Sequence, residues 1–326
     1  MSSRGSVLLY VVFSVLLLSL FAAGIGSRAL FALDLSQRLS DQLQSLYLAR
    51  AAVQVATVIL SHDQSLAVDT LQEAWANNPG LFADHRLAEG SFRITAGRTA
   101  NGEPRYGLQD EERRINMNTA PEEVLRHLME TVGQLPEREV SEVTDAILDW
   151  RDPDTDERSH GAERFYYQSL REAYDCKDGP FENVEELLLV RGVSPALYHR
   201  LEPWVTVYGS GRINLNTAQE PVLRALGLSA TGVSGLLLFR SGEDSAEGTP
   251  DDRHLVALSN LDGELKAYVP AEDLATLKTL VQHELLTVHS EAFRMEIQAQ
   301  THTPSSRIAA LCVLDRQGHI RLWSAW

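Results

Sequence analysis

The chain has 326 residues, 44% of them hydrophobic, enough to close one large or two modest cores, so wholesale disorder is excluded. Its 45 acidic residues against 29 Lys and Arg leave a formal charge of -16, which argues against nucleic-acid binding driven by cations on phosphates; calcium is a more natural small partner. Only two cysteines occur, Cys176 and Cys312, with no C-x-x-C pair, so neither a thiol redox centre nor a cysteine-rich zinc site is expected. Whether the two pair stays open, and Cys312 lies in an apolar, strand-like run that suits a core.

From Gly5 to Ser27 there is no charge, and the run from Val7 to Leu18 is as apolar as a membrane-spanning helix needs. The helical pattern continues past Arg28 through Leu35, Leu39, Leu43, Leu46, Val53 and Val58 with polar residues between, and no strong breaker interrupts it before His62. The reading is one long helix, with residues 6–27 in lipid and residues 28–61 amphipathic. Arg4-Gly5 before the run resembles type IV prepilins and pseudopilins, which are cut after a glycine by prepilin peptidase and keep the apolar helix. That likeness makes residues 1–5 a leader, Gly5 and Ser6 the processing site, and Tyr10 the fifth mature residue, where most members carry Glu.

Beyond the anchor, Leu71–Trp75 reads as a short helix and Asn77-Asn78-Pro79-Gly80 as a turn. Strands are expected at Ser91–Thr95 and Tyr106–Asn118, connected through Gly97 and Asn101-Gly102, and again at Phe293–Thr301, Ile308–Leu314 and His319–Trp326. Helical patterns dominate between: Pro121–Val132, Glu137–Trp150, Glu163–Ala173, Asn183–Leu189, Ala196–Leu201, Glu220–Leu226 and Ala271–Thr287. The fold class is therefore α+β: a long helix on an antiparallel sheet formed by residues 62–118 and 291–326, with a large helical domain, residues 119–290, inserted between strands.

The chain contains an internal near-repeat. Arg114-Ile115-Asn116-Met117-Asn118-Thr119-Ala120 matches Arg212-Ile213-Asn214-Leu215-Asn216-Thr217-Ala218, and Asn118 or Thr119, and Asn216 or Thr217, are placed to cap the helices that follow. The same signal occurs in helix-hairpin-helix modules, and Val190-Arg191-Gly192-Val193-Ser194 resembles the hairpin. A membrane-tethered DNA-binding protein of a DNA-uptake system is the alternative reading, opposed by the net charge.

Asp152-Pro153-Asp154-Thr155-Asp156 places carboxylates at positions one, three and five, and Glu163 falls at position twelve. Such oxygen-rich spacing suits Ca2+, although Glu157 stands where an EF-hand has Gly. Asp175, Asp178 and Glu182 form a second, weaker acidic cluster. No Ser-His-Asp spacing, zinc motif or phosphate loop points to an enzyme.

The R-G-S-V-L-L start, Leu48-Ala49-Arg50-Ala51-Ala52, Leu71–Trp75, the stretch Gln109–Asn118, Asp149-Trp150-Arg151-Asp152-Pro153-Asp154, Gly161-Ala162-Glu163 and the second I-N-L-N-T-A occur in an order that resembles the K-type minor pseudopilins (GspK) of bacterial type II secretion. The resemblance implies a pseudopilin fold with an inserted helical domain and an inner-membrane anchor with the globular part in the periplasm. It also implies a place at the tip of the pseudopilus with I- and J-type minor pseudopilins, secreted substrates as a further contact, and calcium in the insertion, with Glu163 in the G-A-E motif. Tyr10 fits, because K-type members typically lack the fifth-position Glu, and a tip subunit has no neighbour above it.

Overall fold

The computed structural model describes residues 4–63, 65, 67–87, 90–98, 102–302 and 306–326. Of the expected leader, residues 1–3 lie outside the described residues, as does Asn101 of the strand connection.

Helix α1, Arg4–Ser61, is one continuous element, as its unbroken apolar and amphipathic pattern requires. Every residue from Val7 to Ser40 is exposed; from Leu48 onward Ala49, Ala52, Val53, Ala56 and Leu60 form a buried stripe at helical spacing. The three alanines carry almost no side-chain bulk, which lets α1 lie close on a sheet. That sheet is formed by β1 (His85–Leu87), β2 (Gly90–Thr95), β3 (Gln109–Asp110) and three C-terminal strands defined below; a short helix α2 (Pro79–Phe82) precedes it.

Here the structure departs from the expected local order. Leu71–Trp75 forms turns rather than a helix, and the helix falls on the expected turn. The physical reason is capping: Asn78 accepts from the Leu81 N–H, and Pro79 occupies the first helical position, where its missing N–H costs nothing. The expected strand Tyr106–Asn118 is reduced to β3 and β4 (Ile115–Asn116), because the buried charged run between them turns away from the sheet.

The insertion supplies α3 (Glu122–Thr131), α4 (Glu137–Arg151), α5 (Arg164–Gln168), a 3-10 helix at Val184–Leu189, α6 (Pro195–Leu201), β5 (Val205–Thr206), β6 (Ile213–Asn214), α7 (Glu220–Ala225), α8 (Ala230–Arg240), α9 (Leu261–Leu265), α10 (Ala271–Gln282) and β7 (Leu286–Thr287). The chain closes with β8 (Ala292–Thr301), β9 (Arg307–Asp315) and β10 (Ile320–Ala325). The sheet runs β1-β2-β8-β9-β10, antiparallel throughout, with β3 also on β8. The expected helix Glu163–Ala173 is shorter, and Ala271–Thr287 ends at Gln282 because Leu286 and Thr287 pair in parallel with Ile213 and Asn214.

Two apolar clusters result. One joins α1, Trp75, Phe82, Leu108 and the sheet residues Phe293, Met295 and Cys312; the other spans the insertion and takes in Ile115 and Met117. Cys176 belongs to the second and Cys312 to the first, and both are free thiols. A polar joint connects the clusters. Arg316 reaches Asp63 at 3.0 Å, Asp69, and the Ser290 carbonyl at 2.8 Å, while Glu112 accepts from the Ser210 and Ala292 N–H groups at 2.9 and 3.2 Å. Burial pushes the Asp69 carboxyl up to about 6 against the pull of Arg316.

The near-repeat is a structural duplication, and its asparagines do not cap helices as expected. The positions before α3 and α7 are Pro121 and Gln219, with no side-chain cap. Instead Asn116 and Asn214 accept from the N–H two residues on, each at 2.9 Å, shaping a tight turn after a parallel bridge: Ile115 beside Val205, and Ile213 beside Leu286. Arg151 then donates to the Met117 and Ala120 carbonyls, and Arg240 to those of Leu215 and Ala218. Each motif is thus locked by an arginine at the end of the second helix after it.

Candidate metal centre

Helix α4 ends at Arg151, and its last turn carries Asp149 inward and Asp152 to the rim. Asp149 accepts from the Arg158 N–H at 3.2 Å, which folds the acidic loop back over the helix end. Gly161 then passes so close that a Cβ there would lie 1.9 Å from Asp149 Oδ2. This close approach, with Ala162 fully buried behind it, explains the small residues ahead of Glu163.

Glu163 stands at the N-cap of α5, yet its side chain makes no capping bond; it points into the acid cluster, 2% exposed. Carboxylate oxygens of Asp152, Asp154 and Glu163 lie within 4.8 Å of one another. A second group, Glu163, Asp178 and the Cys176 thiol, meets the same distance and shares Glu163. Both Glu163 oxygens, Asp152 Oδ1 and Asp178 Oδ1 are buried without a hydrogen-bond partner. Unpaired buried carboxylates are costly, and a cation removes that cost.

Electrostatics agree with the geometry. Burial, then the charges of Asp178 and Asp149, push the Glu163 carboxyl up to about 7, and burial pushes the Cys176 thiol up to about 12. Asp152 is raised by burial and by Asp154. Nearby cations do not reach Glu163: Lys177 pairs with Glu186 at 2.6 Å, Arg158 with Glu122 at 3.0 Å and Asp149 at 3.7 Å, and Arg191 binds the Gly161 carbonyl at 2.7 Å while stacked over Tyr166. The wall behind is aromatic, Trp150 packing against Tyr167, Tyr174 and Phe181.

Of the residues singled out by spacing, Asp152, Asp154 and Glu163 come together and Asp156 does not. Its side chain is exposed and its N–H donates to Asp154 Oδ1, so the loop opens to solvent where an EF-hand would turn on glycine. In the weaker cluster only Asp178 reaches Glu163. Asp175 turns to Gln168 and Arg164, and Glu182 is exposed beside Lys177. Asp149, three residues before Asp152 and so on the same helix face, was within reach of helical spacing; Cys176 carried no signal of its own. The donors form two groups that share Glu163: Asp152, Asp154 and Glu163 suit a hard cation, and Asp178 adjoins them on the inner side of Glu163.

Residues 190–194 do form a hairpin between the 3-10 helix and α6: Gly192 takes φ +82° and Ser194 caps α6. Arg191, its cation, is consumed internally, and Asn214, Asn216 and Thr217 of the second motif are buried.

Residues 105–210, which hold this whole centre, match the family model for type II secretion system (T2SS) protein K. The chain is 26% identical over 307 residues to type II secretion system protein K of Klebsiella pneumoniae, covering 89% of this chain and 86% of that one. It is 27% identical over 242 residues to protein K of Aeromonas hydrophila, covering 70% and 72%. The chain is thus similar to type II secretion system protein K over most of its length. Its fold matches that of a chain in the crystal structure of the GspK-GspI-GspJ complex from enterotoxigenic Escherichia coli, with a TM-score of 0.64, 18% identity, and 92% and 99% of the two chains covered. These similarities and the fold together support a minor pseudopilin role, and the long apolar helix on an antiparallel sheet is the fold that was expected.

Proposed function

We propose that this chain is a structural subunit at the tip of the periplasmic pseudopilus, starting or capping its assembly, with I- and J-type minor pseudopilins as partners and secreted proteins as a further contact. The observation that carries the reading is the division of α1: residues Val7–Ser40 are exposed and mostly apolar, and the same helix then becomes the core of its own domain. Such a helix needs lipid before assembly and other apolar helices after it, so the anchor sits in the inner membrane with the acidic domains outside. The bulk of the insertion supports a terminal place, since a subunit stacked above would meet it. Tyr10, where a glutamate would serve a neighbour's amine, agrees. Ca2+ at Asp152, Asp154, Glu163 and Asp178 would neutralise the buried carboxylates and fix the loop that leads into α5.

Co-purification tests the assembly: the chain expressed with its own I- and J-type partners is expected to elute as one complex, and elution apart from both overturns the tip assignment. Prepilin-peptidase processing at Gly5 predicts a mature mass starting at Ser6. A chain starting at residue 1, or cut beyond Ala22, contradicts it.

A further inference from the structure

We propose that Cys176 makes the inner side of the metal centre a site for a thiophilic divalent cation of the Zn2+ or Cd2+ class, bound by the Cys176 sulfur with the Glu163 and Asp178 carboxylates. The inference rests on reading this cluster as a cation site, and it goes beyond calcium because a hard cation has no use for sulfur.

Three observations converge. Cys176 Sγ lies within 4.8 Å of both a Glu163 and an Asp178 oxygen, a compact one-sulfur, two-oxygen set that leaves a tetrahedral ion one position for water. Glu163 is 98% buried, at 2% exposure, with neither oxygen partnered, and Asp178 Oδ1 is also bare, so the thiol faces acceptors that lack a donor. The thiol makes a long contact, 4.0 Å, to the Asp149 carbonyl; Lys177 and Arg191 are committed elsewhere, and Arg158 meets Glu122 and Asp149 rather than Glu163 or Asp178. If Cys176 were only a core filler, the chain would leave two desolvated carboxylates and a thiol together with no positive partner.

On binding, the S–H proton is released to solvent and a sulfur–metal bond takes its place. Glu163 and Asp178 belong to both ligand sets, so the thiophilic ion and Ca2+ compete for them. Cys312 lies in the other apolar cluster, and among the described residues it joins no such group.

The full chain in detergent, metal-free, is titrated with Cd2+ and followed by the thiolate-to-cadmium charge-transfer band in the ultraviolet; melting with Ca2+ is recorded in parallel. One equivalent of band is expected, retained in Cys312→Ser and lost in Cys176→Ser, with Ca2+ raising the Cd2+ concentration for half-saturation. Zn2+ affinity should fall by about tenfold or more in Cys176→Ser while the Ca2+ response holds. Absence of the band, or its survival in Cys176→Ser, overturns the proposal. Absence of the band with Ca2+ still stabilising the chain leaves the calcium reading standing, and a band without Ca2+ stabilisation refutes calcium alone.

Discussion

Asn118 closes both ends of its amide on Phe181: its Oδ1 accepts from the Phe181 N–H at 2.7 Å and its Nδ2 donates to the Phe181 carbonyl at 2.9 Å. Asn216 repeats the grip on Leu255, at 2.8 and 3.0 Å. Each asparagine staples a distant loop onto its own turn, and in the first repeat that loop carries Cys176 and Asp178. Asn118→Ala leaves two backbone groups unpaired and is expected to cost about 1–3 kcal/mol in denaturant unfolding, with weaker Ca2+ binding. Asn216→Ala should cost a similar amount and leave Ca2+ affinity unchanged. Equal effects of both variants on Ca2+ would contradict the assignment.

Calcium is expected to raise the melting temperature of the chelator-treated chain. At free Ca2+ about 100 times its Kd, the folded state gains about 2.7 kcal/mol. Glu163→Gln should abolish the gain, and because it removes a buried charge from beside Asp178 and Asp149, it should not lower stability in chelator. Identical melting in chelator and in millimolar Ca2+ would refute the metal centre.

Gly161→Ala tests the G-A-E geometry without touching a ligand. The added Cβ falls on the Asp149 carboxylate, so either the helix end or the Glu163 segment must move. Overpacking of this kind costs about 1–3 kcal/mol, and Ca2+ affinity should drop with it. Wild-type affinity in a stably folded Gly161→Ala would show that Glu163 is positioned by something else.

Glu73, within 4.8 Å of Asp63 and Asp69 of the polar joint, should make stability respond to pH. Burial pushes the Glu73 carboxyl up to about 8, against the hydrogen bond from the Trp75 indole at 2.5 Å. With its folded pKa above the unfolded one, Glu73 holds a proton in the native state. Its contribution is full below the ordinary carboxylate range and is lost as pH rises towards 8. Glu73→Gln, which keeps an acceptor for Trp75, should flatten the decline between pH 5 and 8 by about 1 kcal/mol, a figure held low because water screens this partly covered group. Parallel stability curves for the two proteins would rule Glu73 out as the source.

What the sequence disclosed follows the range of the forces involved. α1, the three C-terminal strands and helices α3, α4, α6 and α7 are written in local periodicity and were legible. Leu71–Trp75 was misread because an apolar run can fill a core from turns, as Trp75 does against Phe293, while Pro79 behind Asn78 starts a helix as readily as a turn. Asp152, Asp154 and Glu163 were legible because they sit on one loop. Asp178 and Cys176 join them only through long-range folding, in which Asn118 holds Phe181, and no spacing rule encodes that. The repeat was visible, but its purpose was not: the asparagines reach partners far along the chain rather than the next helix.

The uncovered stretch of α1 makes the isolated chain an amphiphile whose resting place is set from outside. Because lipid tails and a neighbour's helix are about equally oily, moving the uncharged stretch Val7–Ser27 from one to the other would gain little from expelling water. If the subunit passes from bilayer to filament as proposed, that step would be close to balanced in this respect and could run in either direction. Its direction is decided by the folded parts that meet outside the membrane, so changes on their surfaces, rather than in the greasy helix, should govern whether the subunit leaves or stays.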